Sequence, residues 1–383
     1  MPRSTLAACA AAAILASGPA AAQKPDVGGP EVELQTSAGP IQVKTVAEGL
    51  ARPWGMDFLP DGRVLVTERP GRLRIVGPDG SLSEPVQGTP EVFSQGQGGL
   101  LDVRVHPDFA ETGWVYLTFA EPGEGGTAST AVARGKLEGE TLTDVEVIFR
   151  QEPKVDGGNH FGSRMVFTPD GKLFVGLGER FKFQPAQDLS NHLGTVVRLN
   201  ADGSVPDDNP FVGRQDAKPE IWSYGHRNIQ GGALNPETGE PWFHEHGPRG
   251  GDEINIPEAG KNYGWPVVSW GRHYSGDPIP DPPTRPEFAD AVFQWTPVIA
   301  ASGMDFYTGD RFADWQGDLL VGGLVSRSVV RLDVNAREVT EAERLPIGER
   351  VRDVQTGPQG DVWVLTDEDN GKLLRLTPAA TGQ

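Results

Sequence analysis

Apolar positions along the chain come in short runs, broken every few residues by Pro, Asp and Gly. The run beginning at Gly55 reads GMDFLPDGRVLVTERPGRLRIV: an apolar strand, a Pro-Asp-Gly turn, a β-branched strand and a third strand. Variants begin at Leu101 (LDVRVHPDFAETGWVYLTFA), Ser163 (SRMVFTPDGKLFVGLGER), Gly231 (GGALNPETGEPWFHEHGP), Ser302 (SGMDFYTGDRFADWQGDLLVGGLV) and Val351 (VRDVQTGPQGDVWVLTDEDNGKLLRLT). Proline presets φ for the turn and glycine supplies positive φ, so each unit predicts a hairpin by mechanism. No sustained 3.6-residue periodicity competes. Six sheet units at about one blade length predict an all-β fold, a six-bladed β-propeller over residues 41–378. The segment IQVKTVAEG from Ile41 is expected to pair with the last unit and close the ring.

Two segments stand apart from the repeats. A basic start at Arg3, an Ala-rich apolar run and small residues near Ala22 predict a cleaved signal peptide over residues 1–22, hence a periplasmic or secreted protein with no membrane span. Residues 23–40 are expected to be a flexible leader. Cys9 is the only cysteine, so the mature chain has no disulfide and no thiolate metal site. The formal charge is −19, and −20 once Arg3 leaves with the leader, which excludes nucleic acid as a natural partner.

Between the hairpins lie Gly-rich, polar-aromatic segments at residues 95–99, 156–164, 179–193, 224–232, 243–270 and 348–353. In a propeller such loops gather at one end of the channel, so residues far apart in sequence share a site. His160, in GGNHFGSR, is expected to be accessible and suits a general base, and Glu179 at the end of the next strand is placed to orient it. A single loop histidine would otherwise be unremarkable. Arg227 and Asn228 suit an oxygen that gains negative charge, or else bridge blades. His244 and His246 invite a zinc reading. The loop carbonyls with Asp252 and Glu253, however, are hard oxygen donors that suit calcium better. Arg350 and Arg352 lie two apart on one strand face and point to an anionic ligand, or to salt bridges with nearby acids. Gln97 sits in a glycine loop where its amide could meet a ligand. There is no P-loop, no G-x-S-x-G elbow and no dinucleotide fingerprint, which argues against nucleotide chemistry.

Taken in order, GQGGLLDVRVHPDF, HFGSRMVFTPDGKLFVGLGER, LGTVVRLNADGSVPDDNPF, IWSYGHRNIQGGALNP, EHGPRGGDEINIPEAGKNYGWP and RVRDVQTGPQGDVWVLTDE resemble the glucose/sorbosone dehydrogenase family, from about Ile41 to Leu376. The resemblance implies an enzyme that binds pyrroloquinoline quinone (PQQ) and Ca2+ and oxidises aldose sugars at C1 to lactones, passing electrons to an unidentified acceptor. It implies His160 as general base, Glu179 as its carboxylate and Arg227 with Asn228 at the quinone. Gln97 and Gln184 are implied as further cofactor contacts, and Arg350 and Arg352 as the grip on the cofactor's carboxylates. It also implies the carbonyls of Gly247 and Pro248 on the cofactor's calcium, and Glu253 with the backbone of Tyr263 on a second, structural calcium. One position departs: Val325 stands where the family commonly has a lysine, with Arg327 or Ser326 as candidates to replace it. A calcium-dependent propeller lactonase and a non-catalytic sugar-binding propeller are the alternatives. A monomer or homodimer is expected.

Overall fold

In a computed structural model of the chain, residues 32–279 and 283–379 are described. The expected signal peptide lies outside them. Six antiparallel sheets follow one another in sequence. The first blade has three strands, Pro53–Phe58, Val64–Glu68 and Arg72–Val76. The second to fifth have four each, starting with Leu100–Val105, Gly162–Phe167, Ile229–Leu234 and Ala301–Phe306. The sixth joins Val351–Thr356, Val362–Thr366 and Gly371–Pro378 to Gly39–Leu50 and Val32–Thr36. The chain is therefore a six-bladed β-propeller. Gly39–Leu50 pairs with Gly371–Pro378 along its whole length, Ile41 opposite Pro378, so the two ends of the described chain close the ring.

The leader expectation needs correction at its C-terminal end. Val32–Thr36 forms an outer strand on Gly39–Leu50, with Val32 opposite Val43 and Leu34 opposite Ile41. The apolar-polar alternation of VELQT, with Leu34 packed on the core, favours pairing over a free leader.

The first strand of each blade packs on that of the next, around the axis. Carboxylates stitch successive blades together. Asp57 accepts the Val105 N–H at 2.7 Å, Asp102 that of Met165 at 2.8 Å, Asp252 that of Ala300 at 2.7 Å, Asp305 that of Thr356 at 2.7 Å and Asp353 that of Met56 at 3.0 Å. Each bond gives a partner to a backbone N–H of the neighbouring blade or of the segment that enters it.

Arg164 fills the axis itself. It is 1 % exposed and lies 3.1 Å from Asp102 and 3.0 Å from Asp353. It donates to the Gln230 carbonyl at 2.8 Å, reaches the Arg352 carbonyl at 3.3 Å, and lies over the Trp54 ring at 4.2 Å. One guanidinium thus ties together the first, second, third, fourth and sixth blades and closes the channel beneath the loop-bearing end. Gly303 makes room for Asp353 in this layer, since a Cβ there would fall 1.7 Å from the carboxylate oxygen. Among the described residues no helix is long and apolar enough to cross a membrane.

Removing one partner of a buried ion cluster strands the others without solvent. Arg164→Met is expected to lower stability by about 3–5 kcal/mol, read as a fall in the urea midpoint at unchanged slope. An unaltered midpoint would show that the axial charges are not needed to hold the blades.

Candidate functional site

At the loop-bearing end the channel opens into a cavity of about 280 Å³. Gln97, Asn228, Arg350 and Arg352 line it together with Arg69, Trp54, Phe161, Gln230, His246, Val325 and Asp367. His160 stands at its edge between Asn159 and the lining residue Phe161.

His160 is 4 % exposed and has φ of +52°, so the accessible loop position expected for it is not what forms. The reason is local packing. Gly96 of the neighbouring loop presses backbone to backbone on this segment, and a Cβ on it would lie 2.3 Å from the Gly158 carbonyl. The Gln97 amide oxygen then accepts the His160 N–H at 2.8 Å. Strand pairing carries Glu179 alongside, and its Oε1 meets His160 Nδ1 at 2.7 Å. Glu179 is fully buried, and its Oε2 accepts the Lys182 and Phe183 N–H groups at 2.5 and 3.2 Å. The carboxylate therefore fixes the proton on Nδ1 and leaves Nε2 as the free lone pair, with no hydrogen-bond partner among the described residues. Burial lowers the His160 pKa to about 4, with the Arg227 charge acting in the same sense and Glu179 opposing both. The ring is neutral at physiological pH, the form a base requires.

Arg227 is 2 % exposed. Its Nη1 donates to the His246 carbonyl at 2.8 Å and the Gly247 carbonyl at 3.0 Å. Asn228 Oδ1 accepts the Gly162 N–H at 3.2 Å, so this side chain both lines the cavity and sets the strand that follows His160. The 247–251 turn is tight enough that a Cβ on Gly247 would lie 2.2 Å from the Gly250 carbonyl. Asp252, expected as a possible calcium donor, is committed instead to backbone: Gly247 N–H on one oxygen, Ala300 and Ala301 N–H on the other.

The zinc reading finds no support in the described residues. His244 and His246 each donate Nε2 to a carbonyl of the fifth blade, Ser302 and Ala301. Among the described residues no set of three His, Cys, Asp or Glu side chains is placed to hold a metal. Glu253 is different. Burial first, then the charges of Glu245, Asp290 and Asp252, push its carboxyl well above the usual range. It lines a narrow pocket with Asn255, Asp290 and Tyr263. There Asn255 Oδ1 is buried without a hydrogen-bond partner, and the Tyr263 carbonyl accepts none from the described residues.

Arg350 and Arg352 share one acid. Both reach Asp367 Oδ2 at 2.9 Å, and the two guanidinium groups depress the Asp367 pKa to about 2 against the effect of burial. One carboxylate cannot neutralise two arginines, and Arg69 adds a third cation whose pKa is lowered by burial and by Arg352. Val325 is 61 % exposed on the cavity wall. Neither Arg327, exposed on its turn, nor Ser326 is among the lining residues, and Gln184 sits exposed on a short 3-10 turn away from the cavity. Arg69 and Asp367 escaped sequence reasoning because TERPG and TDEDNG read as turns. The repeat offered a signal: both directly follow the second strand of their blade, close to the position Glu179 holds in the third.

The glucose/sorbosone dehydrogenase family profile matches residues 50–375. Aldose sugar dehydrogenase YliI of Escherichia coli (strain K12) is 46 % identical over 354 residues, 90 % of this chain and 95 % of that protein. The crystal structure of the soluble E. coli aldose sugar dehydrogenase in the apo-form superposes with a TM-score of 0.86 at 46 % identity, covering 88 % of this chain and 99 % of that one. The PQQ-bound form of aldose sugar dehydrogenase from Streptomyces coelicolor gives 0.72 at 26 % identity, covering 90 % and 100 %.

The imidazole carbon resonances of His160 are expected to titrate in NMR with a midpoint near 4. Because Glu179 raises this value, Glu179→Gln should move the midpoint lower still. A midpoint near the ordinary 6.5 would contradict the buried, arginine-facing geometry.

Proposed function

Since the chain belongs to the glucose/sorbosone dehydrogenase family, we propose that it is a PQQ- and calcium-dependent aldose sugar dehydrogenase working in the periplasm or outside the cell. Its relatives support an oxidoreductase acting on sugars. The observation that carries the finer reading is the juxtaposition of the neutral His160–Glu179 pair with a cavity holding three arginines against one aspartate, in a protein of charge −19. Such a cavity suits a compact polyanion, and PQQ is a polyanion that also carries an oxidising centre.

The residues present fit the cofactor's chemistry. Arg350, Arg352 and Arg69 would meet carboxylates, while Gln97 and Asn228 would supply amide contacts. The Pro248 carbonyl accepts no hydrogen bond from the described residues; it would act as a calcium donor with the Gly247 carbonyl, which the Arg227 guanidinium reaches at 3.0 Å. When bound, PQQ supplies the hydride acceptor and calcium polarises its carbonyl. His160 Nε2 takes the proton of the anomeric hydroxyl, and Glu179 holds the ring and stabilises the imidazolium that forms. Arg227 stabilises oxygen that gains charge. The Glu253 pocket fits a second calcium: the ion would neutralise the crowded carboxylates and satisfy the orphaned Asn255 oxygen.

Titrating the purified protein with PQQ and Ca2+ should produce aldose-dependent reduction of an artificial acceptor only when both are present. His160→Gln should cut turnover roughly 10²–10⁴-fold without weakening PQQ binding. Absence of PQQ binding at every calcium level would reject the quinoprotein reading, and lactone hydrolysis would then be assayed. Calcium removal by a chelator should lower the melting temperature, and Glu253→Gln should abolish that difference. A chelator-insensitive wild type would remove the structural ion from the proposal.

A further inference from the structure

Glu179 is followed by Arg-Phe-Lys-Phe. Arg180, Phe181 and Phe183 have φ of +59°, +61° and +63°, a left-handed conformation that bulky residues adopt only when their surroundings impose it. Two devices impose it here. Glu179 Oε2 accepts the Lys182 and Phe183 N–H groups. Arg180, 1 % exposed, donates to the Asn159 and Gly157 carbonyls and stacks 3.6 Å from the Phe161 ring centre. The loop is thus held by the same carboxylate that holds the base and by the segment that carries it.

The product of this arrangement is an aromatic surface. The Phe181 ring lies 4.9 Å from the His160 imidazole at 86° and remains 39 % exposed. Behind it stands Phe183 at 5.1 Å, and behind Phe183 the buried Trp265 at 5.6 Å, rooted in a cluster with Ala186 and Ile279. Phe181 is the exposed end of a row of rings fixed in the core. An exposed phenyl on strained backbone contributes little to stability, so its placement edge-to-face against the His160 imidazole calls for a ligand. Aldose rings present a face of C–H groups that packs on aromatic surfaces, with hydroxyls left at the edge to meet polar groups.

We propose that Phe181 is the stacking face for the sugar ring, positioning the anomeric hydroxyl at His160 and setting the preference for ring-form aldoses. This rests on the sugar dehydrogenase reading above. The test uses the full chain loaded with PQQ and Ca2+, with Phe181→Ala, Phe181→Leu and Phe181→Trp. Phe181→Ala should raise KM for hexoses by roughly 3- to 10-fold, more than it lowers kcat. Phe181→Leu should be intermediate and Phe181→Trp close to wild type. PQQ affinity, the KM of the artificial acceptor and the melting temperature should not move. Unchanged sugar KM in Phe181→Ala would overturn the proposal, as would a change confined to the acceptor KM. A lowered melting temperature not restored by Phe181→Trp would assign the ring a structural role instead. Should the wild type oxidise no aldose at all, the dehydrogenase reading itself falls, a result separable from the variant data.

Discussion

The Arg164 guanidinium, buried on the propeller axis between Asp102 and Asp353, is the contact on which the floor of the cavity depends. A ring of six twisted sheets leaves a column of backbone groups and inward-facing side chains along its axis, and that column must be filled or flooded. Here it is filled by charge. The two carboxylates that meet Arg164 also accept backbone N–H groups of the next blade, so the same atoms neutralise the cation and set the spacing of the blades. Two further bonds run to the carbonyls of Gln230 and Arg352, both of which line the cavity above. The floor of the site and the clamp of the ring are one structure. An apolar plug could seal the axis as well, but it would not fix these carbonyls.

Above that floor the electrostatics reverse sign. The protein is strongly acidic, yet its cavity is lined by three arginines with a single aspartate between two of them. Desolvation makes such an excess costly: it lowers the Arg69 pKa, and the depressed pKa of Asp367 records the pull of its two partners. Relief comes from any ligand carrying several negative charges, and rigidity makes that relief selective, because Arg352 is tethered to Gln230 and Asp367 at once. Val325 on the same wall is exposed and uncharged, and Arg69 enters from the first blade.

How far the sequence could be read depended on the range of the interaction. The blades were legible because each is a local device: Pro-Asp-Gly turns joining β-branched strands, repeated six times. Ring closure by Ile41 onwards followed from the same logic. His160 and Glu179 were legible as a pair because one hairpin separates them. Burial of His160 was not, since it arises from Gly96 pressing on Gly158 across a blade boundary, and no spacing within either segment encodes that approach. Arg69 and Asp367 were hidden for a related reason. Their segments read as turns, and only superposing the repeats reveals that the end of each second strand faces the channel mouth. The strand at Val32–Thr36 was missed because the Gly and Pro around it resemble a linker until Gly39–Leu50 is there to pair with.

The His160–Glu179 pair shows why burial and function are coupled in this site. Burial alone would favour a neutral but weakly basic imidazole, and the adjacent Arg227 deepens that effect. The Glu179 carboxylate works in the opposite direction. Its Oε2 accepts two backbone N–H groups from the 180–183 loop. Those bonds hold the loop in its left-handed turns, and the loop in turn presents Phe181 to the imidazole. Base strength, backbone strain and the shape of the site mouth are therefore consequences of one buried carboxylate. A change at Glu179 alters all three together, whereas a change at the exposed Phe181 ring alters only the last.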